Sequence, residues 1–221
     1  MAGPEYNLIE KFFLPSPECV SFGESIWVTV CRDLDLRQTP TELELCEVDR
    51  ETLKALQAPL KQQYQTSPET ANVCLAAEGV VEFDVPGCRV AIPQNDGSFI
   101  KAGLHPNAGG DGTQACSGEI LLQSLVTCAG TTLAAVSISM GLQITQAHVR
   151  AKGWLDFRGT MGVDRSSPVG LTGIELTYCI ETVADDSVVR KLIELTERYC
   201  VIYQTLTAST RVTSSRISPG C

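Results

Sequence analysis

A thiol does chemistry when it ionises and when a partner can resolve its product, which makes the ten cysteines of this 221-residue chain the first residues to weigh. They stand at Cys19, Cys31, Cys46, Cys74, Cys88, Cys116, Cys128, Cys179, Cys200 and Cys221. No C-x-x-C pair occurs, and the histidines are His105 and His148 alone. Zinc sites draw on closely paired Cys or His ligands, so no metal or other cofactor is expected. Two cysteines are set apart by their surroundings. Cys128 lies inside a stretch from Ile120 to His148 that carries no Asp, Glu, Lys or Arg. At three- and four-residue spacing its neighbours are Ser124, Thr131, Thr132 and Ala135, small enough to leave room beside a sulfur. Cys200 continues the apolar stripe Val189, Leu192, Ile193, Thr196 and Tyr203. If both stripes face one interior the two sulfurs can meet. Otherwise both are ordinary core cysteines, as most are in a reducing compartment.

The elements that would carry these residues read as α+β. Residues 1–50 form an extension with one strand, Ser25 to Cys31. Asp49 caps a connecting helix over residues 51–72, with Pro59 arguing for a break or kink in it. From Val73 a two-stranded unit, VCLAAEGVVEFD and CRVAIP, turns at Val85-Pro86-Gly87 and leads to the Gly-rich loop GLHPNAGGDG. Ser117 is the expected cap of a long helix starting at Gly118 and ending near Gly141, apolar nearly all round and therefore buried on most sides. Alternation then predicts a strand with Ala147, Val149, Ala151, Gly153, Leu155 and Phe157 inward, and a second with Ile174, Leu176, Tyr178 and Ile180 inward. Asp185 and Asp186 open an amphipathic helix through Cys200 and Tyr203, followed by a last strand over Thr205 to Thr213.

Composition narrows the partners. Lys and Arg number 17 against 26 Asp and Glu, a net charge of -9, whereas a nucleic-acid binder needs a basic face to neutralise phosphates. No nucleic acid is expected. The N-terminal MAGPEYNLIEKFFLPSPE lacks the charged, then apolar, then small-residue order of a secretory signal, so a cytoplasmic location is expected. The uncharged stretch is long enough to span a bilayer, but its Gln123, Ser124, Thr127, Thr131, Thr132, Ser137, Ser139 and Gln143 and its lack of interfacial anchors favour a buried soluble helix and no membrane. Gly109, Gly110 and Gly112 follow neither the G-x-x-x-x-G-K-[ST] nor the G-x-G-x-x-G arrangement, so no nucleotide site is expected either.

The segment from about Gly109 to Leu206 resembles the OsmC/Ohr family in GGDGTQACSGEILLQSLVTCAGTTL, in WLDFRGTMGVD with its following strand, and in LIELTERYCVIYQTL. The resemblance extends over residues 73–215 and implies an OsmC-like fold: antiparallel sheets around a long buried central helix, in an intertwined homodimer with its sites at the subunit interface. It implies further that Cys128 is the peroxidatic thiolate and Cys200 the thiol that resolves its sulfenic acid as a disulfide, with an external dithiol as reductant and no cofactor. In the family's peroxidases an Arg and a Glu shape the site. Arg89 is the candidate for the first, since only Arg89 and Lys101 supply cations between Gln65 and Cys116. The Glu is expected ten residues before the first Cys, where this chain has Gly118; Glu119 stands one residue later, about 100° round the helix. Its competing role is that of an acid in the first helical turn. Val201 replaces a Pro that often follows the second Cys. Two functions follow as expectations: a thiol-dependent peroxidase for organic hydroperoxides or hydrogen peroxide, or an OsmC-fold dimer that binds a small apolar ligand or is structural, its cysteines inert.

Overall fold

The computed structural model describes residues 48–92 and 97–216. The expected strand from Ser25 to Cys31, the extension around it, and Cys19, Cys31, Cys46 and Cys221 lie outside the described residues.

Helix α1, Arg50–Thr66, starts where Asp49 Oδ1 accepts the Thr52 N–H at 2.8 Å. It runs unbroken through Pro59, contrary to the expected break. A single proline costs one intrahelical bond, and its fixed φ is itself helical, so capped flanks carry the helix across. A three-stranded antiparallel meander follows: β1 Gly79–Glu82, β2 Gly87–Ala91 and β3 Phe99–Gly103, with Arg89 opposite Val80 on one side and Lys101 on the other. The sequence reading assigned two strands here and missed β3, whose five residues are too few for an alternation to be read.

The long helix α2, Ser117–Met140, is closed at its C-terminus by Gly141 in the left-handed conformation at φ 70°. A side chain is strained in that conformation, which is why glycine ends the helix. At the other end Cys116, not Ser117, is the N-cap residue. One row of α2 is buried, Leu125, Ala129, Leu133 and Ser137, spaced four residues apart. The rest of its circumference is half-buried or exposed within one chain, short of the burial on most sides that its composition predicts.

Strands β4, Ile144–Leu155, and β5, Leu171–Thr182, make a long antiparallel hairpin through the four-residue helix α3, Phe157–Thr160. The alternation holds in the middle of both strands, where Val149 and Ala151 on β4, and Ile174, Leu176 and Tyr178 on β5, pack against Leu125, Ala129 and Cys200. Of the other residues expected inward, Ala147 is exposed and Phe157 lies past the strand, at the start of α3. Gly153 permits the close approach of α2, because a Cβ there would press on Leu122 at 3.3 Å and on Leu171 at 3.2 Å. Helix α4, Asp186–Tyr199, lays a second four-residue row, Leu192 and Thr196, against the same interior and is continued by Cys200; all three are 0% exposed. The buried Thr196 hydroxyl is satisfied by donating to the Leu192 carbonyl at 2.8 Å.

The chain after Cys200 corrects the sequence reading. In place of a strand from Thr205, helix α5 spans Val201–Thr207 and an irregular segment follows. β-branched Thr usually favours strands, but Thr205 and Thr207 donate their hydroxyls to the Val201 and Tyr203 carbonyls, and Ile202 and Tyr203 gain burial on the core cluster.

Because Leu192 is fully enclosed, Leu192→Ala is expected to destabilise the fold by about 2–5 kcal/mol, read as a lower urea midpoint. Val183→Ala, at a side chain 94% exposed, is expected to stay within about 0.5 kcal/mol in the same titration.

Candidate active site

The helical path turns between α4 and α5. Cys200 leaves it at φ -74°, ψ 111° and serves as the last cap of one helix and the first of the next. Its N–H still donates to Thr196 at 2.9 Å, while its sulfur accepts the Tyr203 N–H at 3.5 Å. The sequence reading put Cys200 on a continuous stripe; the structure keeps it on the inward side but at a junction, where the first N–H groups of α5 are free of intrahelical partners.

Those groups face Cys128. Burial raises the pKa of the Cys128 thiol, but the N–H of Ile202, the Cys200 thiol and the N–H of Val201 all donate toward its sulfur, and their sum holds it below the ordinary thiol value. Thr132 adds a smaller lowering; its hydroxyl also bonds the Cys128 carbonyl at 2.8 Å. Cys200 is driven the opposite way: burial pushes its thiol up, the Tyr203 N–H partly opposes this, and the neighbouring Cys128 adds to the rise. The pair is therefore polarised: the Cys128 thiol is shifted toward ionisation and the Cys200 thiol away from it. Cys128 is half-buried, so a small molecule can reach it, whereas Cys200 is 0% exposed.

The other two predicted site residues are placed elsewhere within one chain. Glu119 reaches back to its own helix start, where its carboxylate accepts the Cys116 N–H at 2.7 Å. That is the first-turn role, and the one-residue offset from Gly118 explains it. Arg89 projects from β2, bonds Glu82 Oε1 at 2.8 Å and lies 5.5 Å from the centre of the Phe99 ring; Lys101 reaches the other oxygen of Glu82 at 3.3 Å. The groups shifting Cys128 come from α2, Cys200 and α5, with neither Arg89 nor Glu119 among them. Glu82 as the carboxylate that holds Arg89 was missed. The one available signal was the hairpin register, Glu82 opposite Gly87 across a four-residue turn, which sets Glu82 diagonal to Arg89.

A groove of about 390 Å³, lined by neither cysteine, is walled by Leu125, Leu171, Ile174, Leu176 and Leu206, with Glu197 and Tyr203 as its polar edge. His105 belongs to the frame: it stacks on Phe157 at 4.8 Å and its Nδ1 accepts the Asn107 N–H. Among the described residues no three His, Cys, Asp or Glu side chains converge as a metal site.

Residues 110–215 match the model of the OsmC-like protein family, so this part of the chain is an OsmC-like domain. Both cysteines of the pair fall in the matched region. Among solved structures, the OsmC-like protein of Mycoplasma pneumoniae aligns at 17% identity and a TM-score of 0.51, covering 62% of this chain and 89% of that one. An organic hydroperoxide resistance protein OsmC of Legionella pneumophila aligns at 10% identity and a TM-score of 0.48, covering 61% of this chain and 91% of that one. At 17% identity the likeness to the Mycoplasma protein is one of fold. No curated protein sequence matches the chain.

Polarisation of the pair has a direct readout. A lowered thiol pKa puts more Cys128 in the thiolate form at neutral pH, so its iodoacetamide alkylation, followed by peptide mass spectrometry, is expected to rise with pH around a midpoint below the ordinary 9.0. Cys200 is expected to resist alkylation until the fold is opened.

Proposed function

We infer that this protein is a two-cysteine peroxidase that reduces organic hydroperoxides, in a soluble, cytoplasmic setting and without nucleic-acid or membrane partners. The observation that carries this reading is the contact between a half-exposed, lowered-pKa thiol and a buried, raised-pKa thiol. The Cys128 thiolate attacks the terminal oxygen of the hydroperoxide, the O–O bond breaks, and the alkoxide takes a proton to leave as an alcohol. The product is the Cys128 sulfenic acid. Cys200 then displaces hydroxide from that sulfur, which leaves as water, and the disulfide is returned to two thiols by an external dithiol. The apolar groove next to Leu125 accommodates an alkyl tail, which favours an organic hydroperoxide over hydrogen peroxide.

The reading includes a homodimer. Helix α2 is 24 residues long with a mean hydropathy of 1.6 over its most apolar window, of which 22% is buried, and by length and composition alone it would cross a membrane. The three-stranded sheet exposes Val80, Val81, Phe83, Phe99 and Ile100. A second copy of the chain covering both surfaces stabilises them as an obligate interface does, and brings Arg89, oriented by Glu82, to a Cys128 across the interface.

Wild-type protein is expected to consume cumene hydroperoxide in the presence of a dithiol, Cys128→Ser to lose all consumption, and Cys200→Ser to consume one equivalent and stall. A serine hydroxyl is un-ionised at neutral pH and forms no sulfenic acid, so residual turnover in Cys128→Ser would remove the mechanism. Sedimentation at micromolar concentration is expected to give a dimer, burying more than about 2,000 Å². A monomer would remove the interface.

A further inference from the structure

One side-chain polar atom among the described residues is buried without a hydrogen-bond partner: the hydroxyl of Tyr178. A buried hydroxyl left unbonded loses its water for nothing, and a phenylalanine would fill the same space without that cost. The hydroxyl therefore gains from a partner that exists in another state of the protein. Tyr178 projects from β5 onto the cluster that contains Cys200. The groups that act on it electrostatically are Glu197 from α4, Cys200 at the junction and Tyr203 from α5. On β4 it faces Val149, flanked by Ala147 and Ala151, which carry no charge. Tyr203 is engaged with the Glu197 carboxylate. Of these neighbours, Cys200 is the one whose charge changes during thiol chemistry. Burial and the surrounding negative groups push the Tyr178 pKa up, so it keeps its proton and acts as a donor.

Cys200 lacks such a donor in its resting form. Its sulfur accepts the Tyr203 N–H at 3.5 Å, with the Ile202 N–H a weaker influence, and among the described residues no side-chain hydroxyl bonds it. Buried anions are costly unless hydrogen-bonded, so a Cys200 thiolate gains from a further donor beside these main-chain groups.

We propose that the Tyr178 hydroxyl donates a hydrogen bond to the Cys200 sulfur whenever that sulfur carries negative charge, accelerating both the formation and the reduction of a Cys128–Cys200 disulfide. The proposal rests on the two-cysteine reading above. In the forward step the Cys200 thiolate attacks the sulfur of the Cys128 sulfenic acid; the S–S bond forms, the S–O bond breaks, and hydroxide takes a proton to become water. In the return step the exposure difference selects the sulfur attacked. A reductant thiolate reaches Cys128, the S–S bond breaks, and Cys200 departs with the electron pair as the buried thiolate, held by Tyr178 and the Tyr203 N–H. The second thiol of the reductant then releases Cys128, and a proton from solvent restores the Cys200 thiol.

The test bypasses peroxide. Reduced protein is oxidised with diamide, and reduction of the resulting disulfide by dithiothreitol is followed across pH in wild type and Tyr178→Phe. The variant is expected to reduce on the order of ten- to a hundredfold more slowly, the loss of one hydrogen bond to a charged group. It is also expected to keep wild-type Cys128 alkylation and to melt no lower than wild type, since an unpartnered hydroxyl has been removed. Reduction at the wild-type rate overturns the proposal. So does a slowed rate accompanied by a lower melting temperature and altered Cys128 alkylation, which would make Tyr178 a packing residue, and so does failure of wild type to form the disulfide with diamide. A Tyr178-dependent reduction in a protein that consumes no hydroperoxide would retain the donor and remove the peroxidase reading.

Discussion

The structure depends on one packing constraint: the row Leu125–Ala129 on α2 and Cys200, the end of the buried row Leu192–Thr196–Cys200 that continues α4, form one cluster against the β4–β5 hairpin. Each row is the ridge that a helix presents when it packs closely against its neighbours. Cys128 stands three residues beyond Leu125 at the border of that ridge, so the packing that buries Cys200 also brings the second sulfur to it while leaving Cys128 partly open. Gly153 sets how deeply α2 sinks onto the hairpin, since any side chain there would press on Leu122 and Leu171.

From this constraint the electrostatics of the pair follow. The turn at Cys200 starts a new helix, and a helix start offers N–H groups with no intrahelical acceptors. Aimed at Cys128, they supply what a cationic side chain supplies at other reactive cysteines, a fixed positive potential that favours the thiolate. A proline after Cys200 would remove one of these donors; with Val201 there, the chain has an N–H to give. At the fully enclosed Cys200, burial outweighs the N–H groups that it also meets, and its thiol is pushed above the ordinary value. Two identical side chains are thus differentiated by depth and by which peptide groups face them.

A second consequence concerns what one chain leaves uncovered. With one row of α2 enclosed, the remaining apolar surface of that helix and the outer face of the β1–β3 sheet stay half-exposed, and Arg89 sits on that sheet, held by Glu82 and away from the groups that touch Cys128.

The amino-acid sequence was sufficient for the parts of this protein governed by local periodicity and end signals. Asp49 and Asp185 at helix starts, Gly141 at a helix end, the alternation through the middle of β4 and β5 and the Leu192–Thr196–Cys200 stripe were legible, because each is set by residues within a turn or two of one another, whereas the buried row of α2 was hidden by a helix apolar nearly all round. The α+β class and the prominence of Cys128 and Cys200 followed from them. What only the tertiary structure decided were the features whose energy comes from distant partners. Residues Val201–Thr207 became a helix against the β preference of their threonines because Ile202 and Tyr203 are buried there. β3 exists because β2 offers it a ladder, Glu119 turned to its own helix start, and Arg89 took Glu82 across a turn. Above all, the opposite directions in which the two thiol pKa values are shifted come from burial and from the N–H groups of a helix start, and these are set by the packing of segments some seventy residues apart, which no local pattern encodes.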